Sequence, residues 1–286
     1  MMHFPFTEAR KKREYVVIYI QPEKKTLLEK LSNAILRVIR VLYNPFTTYD
    51  EIAKTPDKIG PILAIILTVI FQSLSTILVL NRVCLLLGEG ELLGNYTAEA
   101  GDKYIRVYFV NATAFNKFKF LDIGQNIIAL QALLFSVNLI FAWIILYFTN
   151  YLVSKLFGST ASSGYSAVGY VLSARMLGSL IDLIVKSIVV IHVPELEVVV
   201  PYGASIWKYN YYVKLSINEW MKYFPLELGQ ITTAIYTFVV LWGLVLNIAF
   251  CLSITKLSGA KGFAAGILAY IAYIILSTLI FPFLYI

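Results

Sequence analysis

Three charged residues inside one apolar run pose the first chemical question. Arg175, Asp182 and Lys186 lie within the stretch from Tyr165 to Val193. At about 100° per residue they fall within roughly 40° of one another, with Ser179 beside them. An acid between two bases on one helical face admits two readings. It is a polar lock that joins helices, or it lines a pathway for an anionic or polar solute. Gln131 and Asn138, seven residues apart in another apolar run, are the amides placed to answer this stripe. No catalytic set accompanies it. The two histidines are His3 and His192, and the two cysteines are Cys84 and Cys251. None of them has a partner at metal-ligand spacing, so no metal or cofactor is expected. There is no phosphate-binding glycine loop and no nucleophile elbow. The sequence therefore reads as a non-enzyme, and nothing in it points to nucleic acid.

The elements that must position the stripe are membrane helices. The chain of 286 residues is 59% hydrophobic and 14% charged. Windows 61–80, 124–154, 230–255 and 262–286 hold no charge at all. Each is close to or beyond the roughly 20 residues that cross a bilayer core as a helix. With the charged run 165–193 they predict an all-α integral membrane protein, a bundle of five transmembrane helices. A charge near mid-membrane costs a few kcal/mol or more unless paired. The stripe must therefore face the bundle interior or water.

Charge bias sets the expected orientation. Residues 1–60 carry eleven Lys or Arg against seven Asp or Glu. Loop 81–124 carries five of each sign, and loop 194–227 carries three positives and four acids. The short turns at Lys155 and at Lys256 and Lys261 are purely basic. The N-terminus is thus expected in the cytoplasm, both long loops and the C-terminus outside the cell membrane. The sequons at Asn95 and Asn111 then fall in the first outside loop and are glycosylation candidates. Cys84 and Cys251 fall on opposite faces and are not expected to pair.

The segment 1–60 reads as a basic cytoplasmic region, and 61–286 as the membrane domain. After Arg10-Lys11-Lys12-Arg13 and a β-prone run from Tyr15 to Ile20, residues Thr26 to Tyr43 predict an amphipathic helix. It either lies in the membrane interface or packs on the bundle, and the two are compatible. Asn44-Pro45 should end it. A second short helix is expected from about Tyr49, through Thr48-Tyr49-Asp50-Glu51, to Thr55-Pro56. Gly60-Pro61 then opens the first span. In the outside loops, Tyr104 to Val110 with Phe115 to Phe120, and Glu195 to Val200 with Trp207 to Leu215, predict two β-hairpins. A short helix capped at Ser216 and carrying Trp220 is expected to follow. A faint repeat joins "SKLFGSTASSGYSAVGYVLS" from Ser154 to "TKLSGAKGFAAGILAYIAYI" from Thr255.

This order of elements resembles the Yip (Ypt-interacting protein) domain family. The resemblance rests on the basic amphipathic segment, Asn44-Pro45, Gly60-Pro61 and the turn "FGSTASSGYSAVGYVLSARML", and covers residues 35 to 286. It implies a prokaryotic-type member with five spans and a cytoplasmic N-terminus. Eukaryotic members act in vesicle traffic and bind Rab-type GTPases. The longer outside loops and the sequons depart from that pattern and put a small-GTPase partner in doubt. The expected role is a scaffold, membrane-shaping factor or subunit that binds the lipid bilayer and other membrane proteins or a second copy. The competing expectation is a small-solute transporter or permease component.

Overall fold

The computed structural model describes residues 26–161, 164–223 and 226–280. The basic cluster at 10–13 and the β-prone run 15–20 lie outside the described residues. The chargeless windows fold as α3 (Ile59–Leu80), α4 (Phe120–Leu156), α7 (Leu226–Ile254) and α8 (Gly259–Ile280). Among the described residues these four helices are long and apolar enough to cross a membrane. The charged run takes a mixed form: a 3₁₀ stretch (Tyr165–Leu172), α5 (Ser173–Val189) and a 3₁₀ turn (Val190–His192).

Before α3 come α1 (Leu27–Tyr43) and α2 (Pro45–Lys54). Thr26 and Glu29 form a capping box on α1. Asn44 ends α1, as its place before proline requires. The second helix begins earlier than expected, at Pro45 instead of near Tyr49. Proline fits a first helical position, where its missing N–H has no partner to lose. The Thr48 hydroxyl bonds back to the Asn44 carbonyl at 2.7 Å, so Thr48 sits inside the helix and does not cap it.

One face of α1 (Ala34, Val38, Val41) is buried against the bundle, while Leu27, Leu28, Leu31, Ile35 and Ile39 stay exposed. Residues of α1 and α2 share one core with the long helices, so this segment is packed into the bundle.

Asp57 explains the punctuation between α2 and α3. It pairs with Arg37 of α1. It also accepts the Gly60 amide at 2.9 Å and the Tyr170 hydroxyl at 2.9 Å. A Cβ at Gly60 would lie 1.9 Å from the Tyr170 oxygen, so only glycine lets the two segments meet.

The long helices pack in a closed circuit, α3 to α5 to α7 to α8 to α4 and back to α3. The hairpin of α4 with the 3₁₀–α5 segment and the hairpin of α7 with α8 are exchanged within it. The first helix of each packs against the second helix of the other. This matches the sequence repeat. With Lys155 set on Lys256, Asn150 matches Cys251, and the Cys251 thiol lies 3.2 Å from the Asn150 side-chain oxygen. With Gly164 set on Gly262, Arg175 matches Tyr273, and these two also bond.

The two long loops do not form separate hairpins. They build one five-stranded sheet in the order β2-β3-β5-β1-β4. The strands are β1 (Val83–Gly88), β2 (Glu91–Ala100), β3 (Tyr104–Asn111), β4 (Asn116–Lys119) and β5 (Glu195–Pro201). β3 and β4, expected to pair with each other, sit at different places. β3 pairs with β2 and β5, and β4 pairs with β1. β5 lies between β1 and β3 and is parallel to both. Parallel strands need a long crossover, and here the α4–α5 hairpin supplies it.

The expected strand from Trp207 to Leu215 is helical, part of α6 (Ile206–Trp220). Its aromatics suit a strand, but Tyr209, Tyr212, Val213, Ser216 and Trp220 recur at three and four and are buried against the sheet core. Ser205 caps this helix, so Ser216 lies in its interior. The all-α expectation is thereby corrected to a mostly helical chain with a real sheet layer.

Candidate functional site

The predicted stripe divides. Asp182 accepts from the Lys186 ammonium at 2.8 Å, one helical turn on, and from the Ser75 hydroxyl of α3 at 2.8 Å. Arg175 turns to the other side of the bundle. It donates to the Tyr273 hydroxyl of α8 at 2.7 Å, with its guanidinium 5.9 Å from that ring's centre. α5 and α8 are not neighbours in the helix circuit, so Arg175 reaches across the interior.

The acid is thus held by one cation and a neutral hydroxyl, and the arginine by a neutral phenol. Ser75 is fully buried, Ser179 is buried beside the stripe, and Asp182 and Lys186 keep only partial exposure. The arrangement ties α3, α5 and α8 together with polar bonds in an otherwise apolar bundle.

The α4 amides do not complete it. Asn138 is buried and Gln131 is exposed, and no hydrogen bond joins either to the stripe among the described residues. Another amide of α4 carries the interhelical bonding. Asn150 donates to the Asn247 side chain of α7 at 2.9 Å. Asn247 in turn donates to the Gly266 carbonyl of α8 at 2.8 Å. A Cβ at Gly266 would lie 2.7 Å from the Cα of Ile248, so the helices are in backbone contact where the amide crosses. Asn150 and Asn247 are amides deep inside chargeless windows, and that placement was the available signal.

A second charged cluster sits on the sheet, where sequence reasoning named no site. Glu197, on the central strand β5, is 5% exposed. It accepts from Arg106 Nε at 2.8 Å and from Lys117 Nζ at 2.8 Å. Register makes the meeting. Arg106 on β3 lies directly opposite Glu197, and Cys84 on β1 lies opposite it on the other side. Burial alone would raise the Glu197 carboxyl, but the bonds from Lys117 and Arg106 hold it below its ordinary value. Lys117 is raised, chiefly by its bond to Glu197. Glu195 extends the cluster, 3.4 Å from Lys117 and 3.8 Å from Arg82.

Asn95 is exposed on the edge strand β2, and Asn111 is exposed at the end of β3. Both cysteines are buried and unpaired, at opposite ends of the molecule. Among the described residues no group of His, Cys, Asp or Glu is placed to hold a metal ion.

No family model, curated protein or solved structure matches the chain.

Proposed function

We propose that the chain is a five-span integral membrane protein of non-enzymatic role, a scaffold or subunit that presents the sheet and α6 outside the cell membrane. The segment from Tyr165 to His192 is the fifth span. At about 2.0 Å per 3₁₀ residue and 1.5 Å per α residue it extends roughly 45 Å, more than a bilayer core of about 30 Å. Its charges are compatible with that span because they face the interior and are bonded there. The charge bias places α1, α2 and the N-terminus in the cytoplasm and the C-terminus outside. The exposed leucine and isoleucine face of α1 lies in the inner membrane interface, with Lys30 and Arg40 toward anionic headgroups. The partners are other membrane proteins or a second copy.

One observation carries this reading. Asp182 and Glu197, the acids at the centre of the two charged clusters, are both bonded to the protein's own cations. Such paired groups hold a shape.

A second reading draws on a different observation. Arg175 and Tyr273 join the two helical hairpins, and transporters built from repeats place their solute sites at the interface between them. A solute that carries an anion would compete with Tyr273 for the guanidinium.

Two measurements separate the readings. Single cysteines at Asn95 and Asn111 should react with an impermeant maleimide in intact cells, and labelling only after lysis would reverse the topology. Proteoliposomes should show no solute flux that depends on Arg175, and such a flux would replace the scaffold by a permease component.

A further inference from the structure

A cleft of about 490 Å³ opens beside the ion-paired face of the sheet, where it meets the end of the Tyr165–His192 segment. Arg82, Asp102, Lys103, Lys117, His192 and Glu195 line it. We propose that this cleft binds the phosphate of a membrane phospholipid, whose acyl chains run down α5. The inference rests on the membrane reading above and adds a ligand to it.

Depth is the first argument. Arg82 follows the last turn of α3, and His192 closes the span that contains α5. Both helices leave the bilayer there, so the cleft lies at headgroup level.

Unmet hydrogen bonding is the second. A guanidinium has five donors in a fixed fork. Arg82 uses Nη2 on the Val193 carbonyl, while Glu195 at 3.8 Å is beyond hydrogen-bond reach of Nη1. Its Nε is buried with no acceptor. A phosphate offers acceptor oxygens to which Nη1 of this fork can donate.

Charge is the third. Glu197 and Glu195 are answered by Arg106 and Lys117. Lys103 is exposed and makes no ion pair among the described residues. Lys103 therefore faces the ligand, joined by Arg82 at 3.8 Å from Glu195, and Asp102 beside them suits the amine of a zwitterionic headgroup. His192 lines the cleft as well, and with its Nδ1–H donated to the Ile188 carbonyl at 3.0 Å the Nε2 of the neutral ring is an acceptor, which suits the headgroup amine.

The path for the chains is the fourth. Ile184, Ile188 and Ile191 recur at helical spacing and are 51%, 61% and 71% exposed. They form a ridge that begins at the cleft, since Ile191 also lines it.

The test uses the full chain in detergent micelles. Thermal melting is followed while short-chain phosphatidylethanolamine, diacylglycerol or inorganic phosphate is titrated. The phospholipid should raise the melting temperature, and the other two should not. Lys103→Gln and Arg82→Gln should each weaken the apparent affinity by roughly tenfold, the loss of one charge-assisted hydrogen bond. Lys103 is exposed, so its variant tests the site even where the Arg82 variant folds poorly. Equal stabilisation by diacylglycerol, or unchanged affinity in the Lys103 variant, would overturn the site. Equal stabilisation by inorganic phosphate would assign it to a free anion and overturn the lipid. Extraction of the chain by alkaline carbonate would instead overturn the membrane reading itself.

Discussion

Glu197 and Asp182 solve one problem in two ways. Each is a carboxylate inside the protein with two polar partners. Glu197 sits in the sheet between two cations, Arg106 from the adjacent strand β3 and Lys117 reaching over β1 from β4. Asp182 sits in the helix bundle with one cation from its own helix and a serine from the next. In a sheet, register brings side chains from distant sequence directly opposite one another, so full charge compensation is available. In a bundle the neighbours are set by helix rotation, and a second buried charge would cost more than a hydroxyl. The sheet therefore uses charge for stability, while the bundle uses hydrogen bonds for alignment. Removing a partner should cost more in the first than in the second.

The largest effect is expected at the sheet. Glu197→Ala leaves Arg106 without its anion and Lys117 with Glu195 alone. Breaking a buried pair in this way costs about 3–5 kcal/mol. Melting of the full chain in detergent should show it as the most damaging of the charge removals. The comparison breaks if Glu197→Ala melts with the wild type. Acid should have the same target. The Glu197 carboxyl is held below its ordinary value of 4.5, so its contribution is present above that pH. It is lost as pH falls through the lower folded value. A melting profile between neutral pH and that range should therefore decline on the acid side. The decline should be absent in Glu197→Gln.

A smaller effect is expected in the bundle. Asp182→Ala leaves Lys186 without its anion and Ser75 without its acceptor. Lys186 is near the sheet end of α5 and partly exposed, so it can reach toward the interface. The loss should be about 1–2 kcal/mol, near the upper range of measured polar bonds between membrane helices. A loss above that of Glu197→Ala would invert the comparison.

What the sequence made legible follows the same division. Chargeless windows fixed the long helices because in lipid each must satisfy its backbone within itself. Asn44-Pro45 marked the end of α1, and Thr55-Pro56 the end of α2, through purely local geometry. The sheet was hidden because its pairing is remote. β5 finds β1 and β3 only after the whole α4–α5 hairpin has crossed back. β1, "VCLLLG", reads as a tail of the first span. Trp207 to Leu215 has strand-forming side chains but packs as a helix, since the sheet already offers a flat apolar face to cover. The stripe was placed correctly on one helix, yet its partners lay on α3 and α8, which no local pattern names.

The smallest effect is also the sharpest. Read along one helix, Arg175 and Asp182 look like partners, and the loss of one should be partly rescued by loss of the other. In the structure each has its own anchor, Tyr273 for the arginine, Lys186 and Ser75 for the acid. Seven helical residues separate them by roughly 10 Å along the axis. Sites that far apart, bonded to different side chains, add to within about 0.3–0.5 kcal/mol. The double change Arg175→Ala with Asp182→Ala should therefore melt at the sum of the single changes. Arg175→Ala with Tyr273→Phe should not, because both remove the same bond. Their coupling should be about 0.6 kcal/mol, the average for such bonds between membrane helices. Rescue in the first pair and none in the second would place the lock along α5. The Arg175–Tyr273 bond would then lose its role in holding the two hairpins together.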